Sequence, residues 1–312
     1  MKSLLISLEA VFPIFFLMML GYSMRLLRLG TKAVFDGINK LIFWVFLPVL
    51  LFHNTYQSSL SEAFDAKLIA FSVVGILAVF LLGYGAVFFL TKENPKRGVM
   101  LQGFFRSNVA FLGIPLATYI CGEGALGCAS VTVAIVVPLV NVLAVICLER
   151  FRHGKIDLLA IGKGILKNPL LIGCALGLLA SCFELKLPAL LDGVVADVAG
   201  VATPLAMIVL GAGFTFGGLG KHKKELLVAA FAKLVFIPLI AVTAAALFGY
   251  RDVSLVTVLC IFGTPVAVAS YAMADQMGAD AELAGQMVVV TSAFCSFTLF
   301  LFVFALSSLR LI

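Results

Sequence analysis

Charge is what this chain has least of. Its 312 residues include 22 Lys and Arg and 16 Asp and Glu, 12% in all, about half of what a soluble domain carries. So few charged groups cannot cover a water-soluble globule of this size. The seven cysteines are odd in number, sit mostly in apolar runs and form no CxxC pair. They are expected to be small buried hydrophobes, with no metal or disulfide chemistry. What the chain has instead is apolar surface: 62% hydrophobic residues, 28 Phe, 28 Gly and a mean hydropathy of +1.16. A bilayer span takes about 20 apolar residues, so the chain has material for nine or ten spans and little for a soluble domain. A cytosolic enzyme, a secreted disulfide scaffold and a nucleic-acid-binding module are excluded. The net charge of +6 is therefore to be read against a membrane and not against phosphate.

Apolar stretches separated by short polar punctuation predict helices near 7–24, 33–54, 67–90, 97–121, 125–148, 166–183, 188–217, 226–249, 254–276 and 283–308. A helical bundle is the economical solution, because open strands cannot survive in hydrocarbon. The run from Val11 to Met24 follows a weakly charged start and has no small-residue cleavage motif before Arg25 and Arg28, so it is expected to stay as the first helix. Basic residues gather in alternate loops. Arg25, Arg28 and Lys32 lie in the first, and Lys92, Lys96 and Arg97 in the third. Arg150, Arg152, Lys155, Lys163 and Lys167 lie in the fifth, and Lys221, Lys223 and Lys224 in the seventh. Those 14 face five on the other side: Lys2, Lys67, Lys186, Arg251 and Arg310. The positive-inside rule makes the four basic loops cytoplasmic and puts both termini outside, which requires an even number of spans. The expectation is ten, in the cytoplasmic membrane.

A shift of 156 residues superposes Pro13 on Pro169, Gly21 on Gly177, Asp36-Gly37 on Asp192-Gly193, Pro48 on Pro204 and Gly122 on Gly278. The matches recur at equivalent places in the first and sixth spans and in the second and seventh. A duplication with halves 1–155 and 156–312 is expected. Five helices per half is an odd number, so the second half enters the membrane in the opposite direction. Such inverted repeats are typical of secondary transporters.

The fourth span is interrupted by Arg106-Ser107-Asn108 and then by Gly113 and Pro115, and the ninth by Gly263-Thr264-Pro265. A proline cannot donate to the carbonyl four residues back, and a glycine weakens the helix. Two discontinuous helices in corresponding places point to a midplane binding site. Asn108, Ser107 and Thr264 either partner the freed backbone groups or contact a substrate. Ionisable groups within spans are costly and are functional candidates. Lys40, Arg106 and Lys233 each lie about two turns from the cytoplasmic end, roughly 10 Å in. Lys40 is placed either to snorkel or to pair with Asp36 one turn earlier. Arg106 has no acidic neighbour in its own span, and its guanidinium suits a carboxylate substrate. Glu9, Asp192, Asp197 and Asp275 sit nearer span ends, where solvation is expected, and His53 is expected at the interface.

These residues resemble the auxin efflux carrier family, whose members include plant auxin exporters and bacterial permeases for malate or malonate. The likeness covers essentially the whole chain. It is carried by Gly37-Ile38-Asn39-Lys40, Val45-Phe46-Leu47-Pro48 and Leu51-Phe52-His53 in the second span. The fourth span contributes Ser107-Asn108 and Gly113-Ile114-Pro115, and the ninth Gly263-Thr264-Pro265 and Met277-Gly278. The resemblance implies an all-α polytopic protein of ten transmembrane helices in two inverted five-helix repeats. Helices 1, 2, 6 and 7 would form a scaffold, through which a homodimer could assemble, and helices 3–5 and 8–10 a transport domain. Broken helices 4 and 9 would cross there, with a carboxylate bound beside Asn108 and with Asp36 and Lys40 in support. Ser107 stands where plant members have proline, and about 17 residues separate the fifth and sixth spans in place of a long loop. Both departures make a small organic acid a better substrate than auxin.

The reading is thus a transporter, not an enzyme, moving a small organic anion by alternating access without cofactor, metal or nucleic acid. Asn108, Thr264, Ser107, Arg106, Pro265 and Lys233 are the expected substrate contacts, and Gly113, Pro115, Gly263 and Pro265 the helix-breaking residues. A sodium-coupled symporter of the bile-acid type shares the inverted architecture, but oxygen-rich side chains are sparse near the crossing, with only Asn108 and Gln102. An intramembrane enzyme would call for an Asp cluster or a His/Asp pair at a membrane face, and the sequence has neither.

Overall fold

The computed structural model describes residues 2–57, 65–122, 125–152, 162, 164, 166–183, 185, 187–215 and 218–312. Lys155, Lys163 and Lys186, part of the charge count, lie outside the described residues, as does the side chain of Cys128. The described residues are helical, with one isolated two-residue bridge and no strand among them. The chain runs through α1 (Lys2–Leu26), α2 (Lys32–Tyr56), α3 (Ala66–Leu90), α4 (Asn94–Phe105), α5 (Ile114–Cys121) and α6 (Ala125–Arg152). It continues through α7 (Pro169–Cys182), α8 (Ala189–Gly213), α9 (Lys223–Leu247), α10 (Asp252–Gly263), α11 (Ala269–Gln276) and α12 (Ala281–Ser308). Among these, α2, α3, most of α6, α8, α9 and α12 are long and apolar enough to cross a membrane, and α7, α10 and Phe12–Leu26 of α1 are shorter apolar helices. The chain is a multi-pass membrane protein.

Three prolines explain three local irregularities. A proline inside a helix removes one hydrogen bond and clashes with the carbonyl a turn earlier. Widening that turn by one residue makes room for the ring. Wide π turns at Ile42–Phe46, Val109–Gly113 and Ala232–Phe236 are each followed, two residues on, by Pro48, Pro115 and Pro238. Gly113 and Pro115 thus widen the helix without interrupting it. The actual break comes earlier, where α4 ends at Phe105 and Arg106 turns extended (φ −88°, ψ 111°). In the segment expected as the ninth span α10 ends at Gly263, and Thr264 (φ −71°, ψ 154°) leads out through Pro265 to α11.

Two close helix pairs hold the bundle. Helix α1 packs along α8, and α2 along α7. A Cβ on Gly21 of α1 would lie 1.8 Å from the Ile208 carbonyl oxygen, and one on Gly177 of α7 2.7 Å from that of Phe52. Only glycine permits backbones to approach so closely. Gly21 and Gly177 are 156 residues apart in the sequence, and so are Phe52 and Ile208.

Helix lengths also recur. Lys32–Tyr56 and Ala189–Gly213 are both 25 residues, as are Ala66–Leu90 and Lys223–Leu247. Helices α4 and α10 are 12, α5 and α11 are 8, and α6 and α12 are 28. Gly122 (φ +80°) and Gly278 (φ +73°) follow the ends of α5 and α11 in left-handed conformations, which a side chain would disfavour.

Candidate functional site at the two helix breaks

The two breaks meet. Ser107 and Val266 form the isolated antiparallel bridge, and the Asn108 amide donates to the Pro265 carbonyl at 2.8 Å. Each interrupted helix frees backbone groups that must find partners away from water, and the neighbours supply them. The Val266 amide donates to Thr291 Oγ1 of α12 at 3.1 Å, and that hydroxyl donates to the Met287 carbonyl at 2.7 Å. Lys233 of α9 donates to Ser107 Oγ and, at 3.2 Å, to the carbonyl of Phe262 near the end of α10. Thr264 Oγ1 donates back to the Cys260 carbonyl at 2.8 Å. Gln102 Nε2 of α4 donates to the Ser270 carbonyl of α11 at 3.3 Å.

Beside this junction lies a cavity of about 460 Å³. Leu47, Leu51, Ile76, Val133, Val137 and Ile261 make its wall apolar, and it extends to Asn54 and Gln57 at the end of α2. Its polar lining includes Arg106, Ser107, Asn108 and Asn141. Arg106 is 4% exposed and donates to Asn141 Oδ1 at 2.9 Å and to the Met273 sulfur. Asn141 is held by its own amide, which donates to the Val137 carbonyl at 2.9 Å. Among the described residues no carboxylate forms an ion pair with Arg106. The Asn108 side-chain nitrogen is buried without a partner. A guanidinium has five N–H donors, so the edge offers a positive charge and spare donors within a largely apolar pocket.

The family model described as "Membrane transport protein" matches residues 6–303. The chain belongs to this family, that of the auxin efflux carriers. A curated relative from Rhizobium meliloti (strain 1021), described as "Putative malonate transporter", is 24% identical over 302 residues, covering 90% of each chain. Family membership makes the protein a membrane transporter and gives it a small-molecule substrate.

Within this auxin-efflux-carrier member the expected site residues divide in two. Arg106, Ser107 and Asn108 line the cavity. Thr264, Pro265 and Lys233 are buried and do not line it, standing behind the junction as its supports. Gly113, Pro115 and Gly263 shape the backbone on either side. Asp36 and Lys40 are both exposed, and no ion pair joins them among the described residues. Between them Asn39 is buried, and its amide donates to Asp275 at 2.6 Å. Asp275 is therefore half-buried and bonded, not solvated as its place near a span end suggests. Two polar residues have no role assigned from the sequence. Asn141 interrupts the apolar run Val136–Val145, which is a usable signal, whereas Asn39 stands out only as part of the Gly37–Lys40 motif.

Proposed function

We propose that this transporter carries a small organic anion, a mono- or dicarboxylate such as malonate or malate, across the cytoplasmic membrane by alternating access. The observation that carries this reading is Arg106, a buried guanidinium at a cavity edge with no carboxylate paired to it among the described residues. Burying a charge without a counter-charge is costly, and a carboxylate in the cavity relieves that cost. The Arg106 guanidinium would hold one carboxylate with the Asn108 amide and the Ser107 hydroxyl beside it, and Thr264, Pro265 and Lys233 would act through the backbone they hold. The name of the Rhizobium relative favours a dicarboxylate among these.

The architecture in this reading is ten spans in two inverted halves, 1–155 and 156–312. The matched helix lengths, the paired Gly21–Ile208 and Gly177–Phe52 contacts and the paired left-handed glycines support it. Helices α1, α2, α7 and α8 would be the scaffold, with α3–α6 and α9–α12 moving against it. The face carrying the basic loops would be cytoplasmic and both termini outside. The exposed row Leu190, Val194 and Val201 on α8 is where a homodimer would pack. Uptake of labelled mono- and dicarboxylates into proteoliposomes, with and without imposed proton and sodium gradients, tests the assignment. Saturable uptake of at least one carboxylate, lost in Arg106→Ala, is the expected result. No uptake of any carboxylate would overturn it.

A further inference from the structure

A second cavity of about 460 Å³ lies on the basic face of the bundle, around Arg152, Lys167, Glu149 and Gln276. Arg152 is shared with Glu149, 3.4 Å away, whereas Lys167 is exposed and has no ion pair among the described residues. Of the charged side chains in its lining, two are basic and one is acidic. Little separates this cavity from the one beside Arg106. In α2, Phe43 lines the basic-face cavity and Leu47 the central one. In α7 the neighbours Pro169 and Leu170 divide in the same way. At the end of α11, Met277, the residue after the helix, lines the basic-face cavity, and Met273, one turn back, touches Arg106. One turn is about 5.4 Å of rise, so the partition is a single layer of side chains. Two contacts pin it: Asn39 to Asp275 at 2.6 Å, joining α2 to α11, and Asn168 to the Met277 sulfur at 3.9 Å, joining the start of α7 to the end of α11. The wide turn Ile42–Phe46 of α2 falls within the same layer.

We propose that the cavity at Arg152 and Lys167 is the vestibule through which a carboxylate reaches the central site from the basic face, and that the Asn39–Asp275 contact latches the gate between them. This rests on the alternating-access reading above. The structure is then the form closed on the basic face, with the central cavity extending toward Asn54 and Gln57 on the opposite side. Opening requires α2 and α11 to part, which breaks the amide–carboxylate hydrogen bond. Gln276 Nε2, which donates to the same Asp275 oxygen at 3.0 Å, stays with Asp275 when they separate and keeps the carboxylate bonded.

The test uses no substrate, so it stands apart from the transport assay. In full-length protein with its seven cysteines replaced, Thr203→Cys places a reporter in the wall of the central cavity. Membrane-impermeant thiol reagents, one an anionic sulfonate and one a trimethylammonium cation, are added from the basic face. Asn39→Ala and Asp275→Ala should each speed modification about tenfold, the size expected for loss of a charge-assisted hydrogen bond between two states. Asp275→Asn keeps an oxygen that accepts from Asn39 and should return the rate toward that of the parent, which keeps the test readable if an alanine variant folds poorly. In the opened variants the anionic reagent should react faster than the cation, and Lys167→Glu should reverse that order. Rates unchanged by Asn39→Ala and Asp275→Ala would overturn the latch, and indifference to reagent charge would overturn the vestibule. If the wild-type protein moves no carboxylate yet the latch variants open, the substrate assignment fails and the gate stands.

Discussion

Arg106 Nη2 donates to Asn141 Oδ1 at 2.9 Å, tying the residue that ends α4 to the middle of α6. The guanidinium is thereby aimed by a neutral amide, which holds its orientation and leaves its charge uncompensated. Arg106→Ala should reduce carboxylate uptake to under a tenth. Arg106→Lys, which keeps the charge but loses the planar fork, should retain uptake with a raised KM. Asn141→Leu should raise KM about tenfold, because a hydrogen bond to a charged group contributes roughly 1.5–3 kcal/mol. Initial-rate uptake over a range of substrate concentrations separates these outcomes.

The Val266 amide at the second break donates to Thr291 Oγ1 at 3.1 Å. Thr291→Val keeps the shape and leaves that buried donor unpaired, at a cost of about 1–3 kcal/mol. Thr298, half-buried on the same helix and bonded to carbonyls of its own helix, is the control. Thermal melting in detergent should show a clear fall in Tm for Thr291→Val and little change for Thr298→Val.

The close contacts of Gly21 and Gly177 should respond alike. A methyl at Gly21 or Gly177 meets a carbonyl of the facing helix and must push the pair apart. Gly21→Ala and Gly177→Ala should each lower the yield of monodisperse protein, whereas Gly37→Ala, which meets nothing within 4 Å, should not. Size-exclusion profiles of the three variants check this. An effect at only one of the paired positions would weaken the duplicated architecture.

Outside the spans, Glu93 precedes α4 and accepts from Lys96 at 2.6 Å. That hydrogen bond holds the Glu93 carboxyl below its ordinary value of 4.5 and raises Lys96. A depressed carboxylate contributes stability above its unfolded value, and that contribution is lost as pH falls through the folded value. Glu93 is 64% exposed, so solvent screening keeps the effect small. Melting curves of wild type and Glu93→Gln should differ slightly at neutral pH and converge in acid.

The helices were legible from hydropathy because lipid demands long apolar helices, and each expected segment has a helical counterpart within a few residues; six of them are long and apolar enough to cross a membrane. Both interruptions were legible too, although in the fourth span the chain parts at Arg106–Asn108 and only widens at Gly113–Pro115. The difference is physical: a proline can be absorbed by a wide turn, whereas Asn108 satisfies its amide on Pro265, a partner 157 residues away that no local rule reveals. Lys233 likewise reaches Ser107 across 126 residues, whereas Thr264 turns back on the Cys260 carbonyl four residues away. Polarity made both candidates, but whether a polar group faces a cavity or a backbone carbonyl is settled by packing. Asp275 illustrates the converse, since its place near a span end suggested water and the fold supplied Asn39.

The bond between the two breaks joins main-chain atoms alone, Asn108 nitrogen to Pro265 oxygen. Replacing the side chains at Ser107, Asn108 or Ala267 leaves that fastening in place, so the lining of the cavity can drift while the frame around it persists. Selectivity and foldability are in this sense inherited separately. A library randomised at those three positions should yield many folded proteins that differ in which acid they accept.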